Sequence, residues 1–461
     1  MKLFKHQIEA IKRGTSLIKS HNGFLLFGDL RTGKTLVSLH ICQSIGAISI
    51  LFLTKKAAIQ DIRKDFISLS QENSIRNTMY LNIQTKEYFQ RNIQSFIKQH
   101  FDVIIIDESH HKIAAFPKPS STHKALFHYI NKYNPKVMLL TGTPNAESQS
   151  QLYHQIFLIP DNALRKRYSN FYKFAEDNVR IKELRIGQIT TKEYKQTKLT
   201  RETEAIFKNY IIRMRSDEEP LNAFEERIIK LSCEASDKYM NEIRTQFVCE
   251  ELEIANINSN PKLLHTLRMI ASGTYFKESR DIQGNHNVAY QLGFEEILYQ
   301  TQSAVRKYGF FHENCKLKWL TAFCKDCNKD KRIAIFFYYK SELAALRQIF
   351  THYATENVEL FNAEEYNLIL LQSTSKREGI RLAKLDYMIF LTMDYSTVTY
   401  LQARQRGLSY VDKTARDYKI LYLLNSSDDA IDIEVHDKVV VKGENFHAND
   451  LKLYKKKHAY I

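Results

Sequence analysis

A short loop between an apolar run and a helix-like segment restricts most strongly what this chain can fold into. Residues 28–35 read GDLRTGKT and match the pattern G-x-x-x-x-G-K-[ST] at every position. The run FLLF precedes the loop, and LVSLHICQSI follows it. Gly28 and Gly33 let backbone N–H groups approach phosphate oxygens, and the N-terminus of the following helix favours negative charge. The sequence therefore predicts a phosphate-binding loop after a buried strand.

Side chains of the loop have predicted roles of their own. Lys34 is expected to reach the β- and γ-phosphates of a nucleotide, and the Thr35 hydroxyl to hold Mg²⁺. Thr32 belongs to the same nucleotide-binding set. The alternative is a chance glycine turn with a surface lysine, which the strand–loop–helix context disfavours.

Two acidic residues follow another apolar run. In VIIIDESHH, Asp107 comes after four apolar residues, so its carboxylate is expected at the carboxyl edge of a sheet, beside the phosphates and Mg²⁺. Glu108 is placed to polarise the water that attacks the γ-phosphate. Two ordinary solvated strand-end acids are the alternative, which the nearby phosphate loop makes the weaker one.

Short apolar runs separated by helical patterns recur along the chain. Such runs are typical of parallel strands that helices cover on both faces. They predict an α/β fold with two doubly wound sheets in tandem. In the first half they are FLLF, ISILFLT, DVIIIDE and VMLLTGT, and in the second RIAIFFYY, YNLILLQS, DYMIFLTM and YKILYLLN.

The sequence divides into three predicted parts. Residues 1–160 form a first lobe, residues 161–300 a mainly helical insertion or linker rich in charged residues, and residues 301–461 a second lobe. A chain of 461 residues has room for such a division, since domains commonly hold about 100–200 residues.

The balance of charge favours a polyanionic partner. The chain has 67 Lys and Arg against 52 Asp and Glu, a net charge of +15. No run reaches the ~18 apolar residues of a membrane span, and six scattered cysteines do not make a secreted disulfide framework, so we expect a cytoplasmic protein without a membrane partner. Cys324 and Cys327 form a CxxC with Cys315 nearby, but a fourth zinc ligand is missing, which favours ordinary helix positions.

The order and spacing of GDLRTGKT, DESH and TGTP resemble superfamily 2 helicases, the DExH-box proteins. The finer pattern is similar to the Snf-type branch of DNA translocases, especially the short phage versions. The resemblance implies two tandem RecA-like lobes with a helical insertion between them, and ATP with Mg²⁺ as the nucleotide.

Other segments of the first half fit the same family. In FKHQIEAI, Gln7 matches the glutamine that reads adenine. Residues 50–66, which include Lys55, resemble the motif that touches the nucleic-acid backbone. Thr141 and Thr143 match the motif that couples the ATP state to the nucleic-acid groove.

The second half carries looser motifs. LLQSTSKREGIRLAKLDYMIF resembles the family's fifth motif, in which Gly379 opens a turn near ATP and Lys376 and Arg377 stand where glycines are usual, as added phosphate contacts. YLQARQRG carries the last motif, with Gln402 and Arg406 at its spacing.

One position departs from the family. A second arginine usually follows the first by three residues and completes the ATP site, but that position is Ser409 here. Arg404 or Arg406 is expected to substitute; without a substitute the ATPase would be slow or gated by DNA.

The resemblance implies an ATP-dependent DNA helicase or translocase acting on duplex, forked or branched DNA with little sequence preference. Branch migration, fork reversal and unwinding are the expected activities. The alternatives are an RNA-acting helicase of the same fold, a nucleic-acid-binding scaffold without turnover, and the motor subunit of a restriction complex. The oligomeric state is left open.

Overall fold

The computed structural model divides the chain into two units, one up to Glu219 together with Phe446–Ile461, and one over Pro220–Asn445. We call them unit 1 and unit 2. The structure describes residues 3–29, 32–71, 79–145, 148–186, 189–215, 221–254, 257, 259–278, 297–301, 304–310, 314–327, 330–373, 381–409, 412, 414–427 and 430–441. In this part of the chain no helix is both long and apolar enough to cross a membrane.

A parallel sheet of six strands forms the centre of unit 1, in the order β3-β2-β4-β5-β1-β8. Every residue of β1 and β4 is buried, because both lie inside the sheet with helices packed on it. Unit 1 contains β1 Gly23–Gly28, β2 Ser49–Thr54, β3 Tyr80–Thr85, β4 Val103–Ile106, β5 Lys136–Thr141, β6 Val179–Ile186, β7 Ile189–Thr197 and β8 Ile211–Met214.

The helices of unit 1 bury apolar side chains against this sheet. Alternate residues of its strands, such as Phe24 and Leu26, pack with Val37 and Ile41 in one apolar core. The helices are α1 Lys5–His21, α2 Lys34–Ser44, α3 Ile59–Gln71, α4 Lys86–Arg91, α5 Ile93–Phe96, α6 Ser121–Tyr133, α7 Gln151–Phe157, α8 Ala163–Arg167, α9 Phe171–Asn178 and α10 Arg201–Tyr210, with a 3-10 turn at Lys56–Ala58.

Unit 2 has its own parallel sheet of six strands, in the order β14-β15-β13-β16-β17-β9, and a smaller sheet β10-β12-β11. Its strands are β9 Phe224–Leu231, β10 Thr274–Glu278, β11 Ile297–Thr301, β12 Ala304–Phe310, β13 Ile333–Phe337, β14 Ala354–Thr355, β15 Leu368–Gln372, β16 Tyr387–Phe390 and β17 Tyr418–Asn425. Its helices are α11 Glu234–Gln246, α12 Asn260–Ala271, α13 Cys315–Asp326, α14 Lys340–Ile349, α15 Val358–Asn362 and α16 Thr397–Arg404.

All strand pairs within the two large sheets are parallel, which confirms the predicted α/β class with two tandem parallel-sheet lobes. The described part of residues 161–300 contributes an edge strand to each sheet, β8 to the first and β9 to the second. Residues of β9 are mostly exposed, so this strand has no continuous apolar run. The three-part division at 160 and 300 stays a prediction.

One covalent link occurs in unit 2. The structure joins Cys233 and Cys315 as a disulfide with their Cα atoms 5.4 Å apart. The sequence did not predict this pairing, because 82 residues separate the two cysteines.

Two buried imidazoles make the stability of unit 1 depend on pH. The rings of His123 on α6 and His154 on α7 lie 4.9 Å apart. Burial lowers the pKa of His123 to about 3 and the pKa of His154 to about 4. In an unfolded chain a histidine titrates near pH ~6.5. As the pH falls below that value the unfolded chain binds protons first, so stability is lost progressively down to the lowered pKa of each ring, about 4 for His154 and about 3 for His123.

We expect the free energy of unfolding to fall by roughly 2 kcal/mol per ring between pH 7 and pH 5, as measured by urea unfolding followed by circular dichroism. The His154→Gln variant should lose about half of this pH dependence. His128→Gln, which alters an exposed ring on the same helix α6, should keep the wild-type slope. A wild-type stability that is flat from pH 7 to pH 5 would contradict the assignment.

Candidate nucleotide-binding site

The predicted phosphate loop lies at the carboxyl end of β1, directly before α2. Gly33 has a φ of 81°, and a Cβ at this position would stand 2.5 Å from Nε2 of Gln7, so only glycine fits. A Cβ on Gly28 would stand 2.9 Å from Oγ1 of Thr32. Thr32 Oγ1 in turn donates to the carbonyl of Asp29 at 2.8 Å. The loop is therefore held in a narrow turn whose glycines cannot be replaced without displacing its own side chains.

Lys34 opens α2 and folds back over the loop. Its Nζ donates to the carbonyl oxygens of Gly28 and Asp29, each at 3.0 Å. The two loop carbonyls thus hold the ammonium group against the turn that would receive phosphate. Thr35 follows on the first turn of α2, where its hydroxyl is half-buried.

Gln7, predicted to read adenine, is buried on α1 beside the loop. Its Nε2 donates to the carbonyl of Thr32 at 3.1 Å, and its Oε1 accepts from the backbone N–H of Phe4 at 3.0 Å. In this structure Gln7 thus ties the N-terminus of α1 to the phosphate loop. Its contact with a base stays a prediction.

The two acids of DESH lie where β4 ends. Asp107 accepts a hydrogen bond of 2.8 Å from Oγ1 of Thr54, which is the last residue of the neighbouring strand β2. Glu108 has a φ of 45° and is only 8% exposed. A non-glycine residue with positive φ is sterically costly and often marks a functional position. The turn at Glu108 therefore places two successive carboxylates at the carboxyl edge of the sheet, that of Asp107 against Thr54 and that of Glu108 buried.

His110 links DESH to the TGTP segment at the end of β5. Its Nδ1 lies 3.2 Å from Oε2 of Glu108 and 2.8 Å from Oγ1 of Thr141. Thr141 Oγ1 also accepts from the backbone N–H of Thr143 at 3.0 Å. Thr141 and Thr143 are both buried. Their predicted coupling role therefore has a physical route to Glu108, although a direct contact with nucleic acid stays a prediction.

A residue that the sequence did not single out supports this turn. Lys86, the first residue of α4, is fully buried, and its Nζ donates to the carbonyl oxygens of Asp107 and Glu108 at 2.7 and 2.8 Å. The ammonium group satisfies two carbonyls that the positive φ of Glu108 turns inward. No local pattern identifies Lys86, because its partners lie more than twenty residues away.

The phosphate loop and the DESH turn lie on one edge of the sheet. In the strand order, β5 separates β4 from β1, and the strands are parallel, so both carboxyl ends meet the same edge. Two strand spacings correspond to about 10 Å. Lys55, half-buried, follows β2 along the same edge. The edge therefore combines a loop for phosphate, a cation and two carboxylates.

In unit 2, the predicted residues of the last motif are buried. Gln402 on α16 is 2% exposed, and neither of its amide atoms has a hydrogen-bond partner among the described residues. Arg406 is 4% exposed and lies with its guanidinium 5.5 Å from the ring centroid of Phe336. A buried amide without partners is costly unless a ligand or water satisfies it. Lys376, Arg377 and Gly379 lie outside the described residues.

Ser409, which stands where the family has its second arginine, contacts an arginine from another part of unit 2. The Ser409 hydroxyl accepts from Nη2 of Arg381 at 2.9 Å, and Arg381 also pairs with Asp412 at 3.0 Å. Arg404 instead donates to Glu226 at 3.4 Å and to the Tyr400 hydroxyl at 2.9 Å.

Comparisons with known proteins agree with the first-half motifs. Residues 1–146 match a family model described as "Type III restriction enzyme, res subunit", a helicase-type domain. "Nucleoside triphosphatase I" of Choristoneura fumiferana entomopoxvirus is 27% identical over 187 residues. These matches support a superfamily 2 helicase. They also support an enzyme of this class, a nucleic-acid-dependent ATPase.

The match to the viral triphosphatase covers 36% of this chain and 28% of that protein, so the chain aligns with less than a third of this curated relative. Among solved structures, the Sulfolobus solfataricus SWI2/SNF2 ATPase core in complex with double-stranded DNA covers 98% of this chain and 93% of that chain. Its sequence identity is 14% and the TM-score 0.39.

The last strand of unit 1, β8, also holds the phosphate loop in place. Arg213 on β8 donates to Oδ1 of Asp29 at 2.9 Å, and its guanidinium lies 3.5 Å from the ring centroid of Phe27. The backbone N–H of Asp29 donates to the carbonyl of Met214 at 3.1 Å. Asp29 is thus bonded through both its side chain and its backbone. The sequence did not indicate this role, since 184 residues separate Arg213 from Asp29.

The residues at this edge fit a magnesium-bound triphosphate. The glycine turn excludes side chains, and Lys34 supplies positive charge. Thr35 and Asp107 supply oxygen ligands of the kind that Mg²⁺ prefers. Thr35 and Asp107 would hold the metal, which would supply positive charge to offset that of the phosphates.

Proposed function

We propose that this chain is an ATP-driven motor that moves along DNA and remodels branched DNA by branch migration, fork reversal or unwinding. The observation that carries the proposal is the chain of contacts from Glu108 to His110, at ion-pair distance, and from His110 by a hydrogen bond to Thr141. It connects the group proposed to activate water with the segment proposed to respond to nucleic acid. A simple nucleotide-binding protein has no need for such a route.

In this proposal each residue of the edge has a separate task. Lys34 exchanges its two loop carbonyls for phosphate oxygens, and Thr35 and Asp107 orient the metal. Glu108 accepts the proton of the attacking water. Its carboxylate extends from a turn that Lys86 stabilises by donating to the backbone carbonyl of Glu108. Gln402 and Arg406 stay candidates for nucleotide contact in unit 2. Arg381 is a further candidate, because it donates to the hydroxyl of Ser409, which stands at the position of the family's second arginine.

The net charge of +15 supports a partner bound through its phosphates. Contacts of this kind carry little sequence information and weaken steeply with salt. In unit 1, Lys55 at the sheet edge is the cation proposed for such a contact. In unit 2, the proposed cations are Lys376 and Arg377.

A second candidate function is the motor subunit of a restriction complex. The description of the family model that matches residues 1–146 favours it. Such a subunit would depend on partner chains to act on DNA, whereas a branch-remodelling motor acts alone.

The deciding experiment is an ATPase assay of the purified chain with forked DNA, four-way junctions, linear duplex, single-stranded DNA and RNA. We expect hydrolysis to rise at least tenfold with DNA, most strongly with forks and junctions, and strand exchange to follow without partner chains. Stimulation by RNA alone would support the RNA-acting alternative. Stimulation by DNA without remodelling would favour the restriction motor, and no hydrolysis with any nucleic acid would reject the proposal.

A further inference from the structure

The β6–β7 hairpin is a basic ribbon that the motor motifs leave unassigned. It is antiparallel and separate from both large sheets. Residues 179–197 contain five cations and two acids. The side chains of Lys192 and Lys195 are 55% and 58% exposed, and each lies 3.8 Å from a glutamate. Exposed pairs of this length contribute little, so both lysines can exchange their partners for another anion.

The root of the hairpin is fixed to the segment that follows TGTP. Ser148 Oγ donates to the carbonyl of Lys195 at 2.6 Å, and Ser150 Oγ donates to the carbonyl of Tyr194 at 2.8 Å. Both serines are buried, and the Tyr194 ring packs on Phe171 with centroids 5.7 Å apart. The hairpin is therefore attached to the chain a few residues after Thr143, so that a displacement of the hairpin would also displace this segment.

A cavity of about 450 Å³ lies between the hairpin and the segment after DESH. Its lining combines cations and aromatic rings with one carboxylate: Lys192, Glu193, Tyr194 and Lys195 on the hairpin side, and His110, Lys112 and Phe116 on the other. This combination of cations and aromatic rings suits a sugar–phosphate backbone with an adjoining base.

His110 provides an element with two arrangements at this cavity. Its Nδ1 lies within reach of both Glu108 and Thr141 but can direct a single proton at only one of them. A ligand that displaces the ring changes which contact is made. The position of the Glu108 side chain then responds to what occupies the cavity.

We propose that the β6–β7 hairpin binds the DNA backbone and that the bound strand, by moving His110, sets the rate at which Glu108 promotes hydrolysis. This inference rests on the proposed ATPase function. DNA is the occupant for two reasons. The hairpin surface is basic and exposed, and the cavity opens beside His110, through which DNA is expected to control Glu108.

The test is the double variant Lys192→Ala/Lys195→Ala. Its control is Lys173→Ala/Lys208→Ala, which removes the same charge from α9 and α10, away from the cavity. Fluorescence anisotropy with labelled duplex DNA, single-stranded DNA and RNA measures binding over a salt series. We expect the hairpin variant to bind DNA at least tenfold more weakly than the control, with a salt slope lower by about two. The ratio of DNA-stimulated to DNA-free ATPase should fall at least fivefold.

A third variant, His110→Ala, tests the coupling separately. Because His110 lines the cavity, its loss should weaken DNA binding, but less than the hairpin variant does, while DNA at saturating concentration stimulates its ATPase less than twofold. Equal DNA binding by the hairpin and control variants would overturn the binding surface, as would a loss confined to RNA. Wild-type stimulation in His110→Ala would overturn the coupling. If wild type hydrolyses no ATP, the proposed function fails, while the anisotropy series still decides whether the hairpin binds DNA.

Discussion

Lys34→Ala is expected to lower DNA-stimulated ATP hydrolysis at least 100-fold. The substitution removes the charge that would meet the β- and γ-phosphates, and a cation in this place is worth several kcal/mol in the transition state. It also leaves the carbonyl oxygens of Gly28 and Asp29 without the ammonium group that they now share. We therefore expect weaker nucleotide binding in addition to slower turnover.

Hydrolysis is measured as phosphate release at saturating DNA, and binding with a fluorescent ATP analogue. Lys124→Ala is the matched control, because Lys124 is an exposed lysine of unit 1 on α6, outside the segments proposed to contact nucleotide or DNA. Thermal unfolding of both variants separates a local effect from a loss of fold. Retention of more than a few per cent of the wild-type rate by a folded Lys34→Ala would remove the phosphate role of Lys34.

Glu108→Gln is expected to bind ATP as well as wild type and to hydrolyse it at least 100-fold more slowly. The amide keeps the shape of the side chain and can still accept a hydrogen bond from His110, but it is a far weaker base. The backbone turn should survive, because Lys86 bonds to main-chain carbonyls and not to the carboxylate.

Single-turnover hydrolysis with filter binding of labelled ATP distinguishes binding from chemistry. Glu176→Gln is the control, since it alters an exposed glutamate of the same unit that pairs with Lys173 at 3.0 Å. Unchanged turnover in Glu108→Gln would exclude Glu108 as the base and direct attention to Asp107.

The parts of the site that the sequence predicted are those encoded by adjacent residues. The phosphate loop needs its glycines and Lys34 within eight positions, and the DESH turn follows its strand directly, so both could be recognised locally. The buried apolar runs likewise predicted the inner strands of both sheets. These features depend on local backbone geometry and on the burial of continuous apolar segments.

The remaining features depend on contacts between distant parts of the chain. Lys86 and Arg213 are ordinary basic residues in the sequence, and only folding brings them to Glu108 and Asp29. Strand β9 is mostly exposed, so its pattern did not identify an edge strand of the second sheet. Arg381 belongs to the same group, because its contact with Ser409 spans 28 residues.

The position of β8 determines how far an isolated amino-terminal fragment has to extend. Strand β1, which leads into the phosphate loop, has β5 on one side and β8 on the other. A polypeptide that stops at residue 146 or 160 would lack β8 and leave β1 as an exposed edge strand with unpaired backbone groups. Exposed edge strands favour self-association. It would also lack the Arg213 bond to Asp29. A soluble fragment competent to bind nucleotide therefore needs to run at least to Arg215.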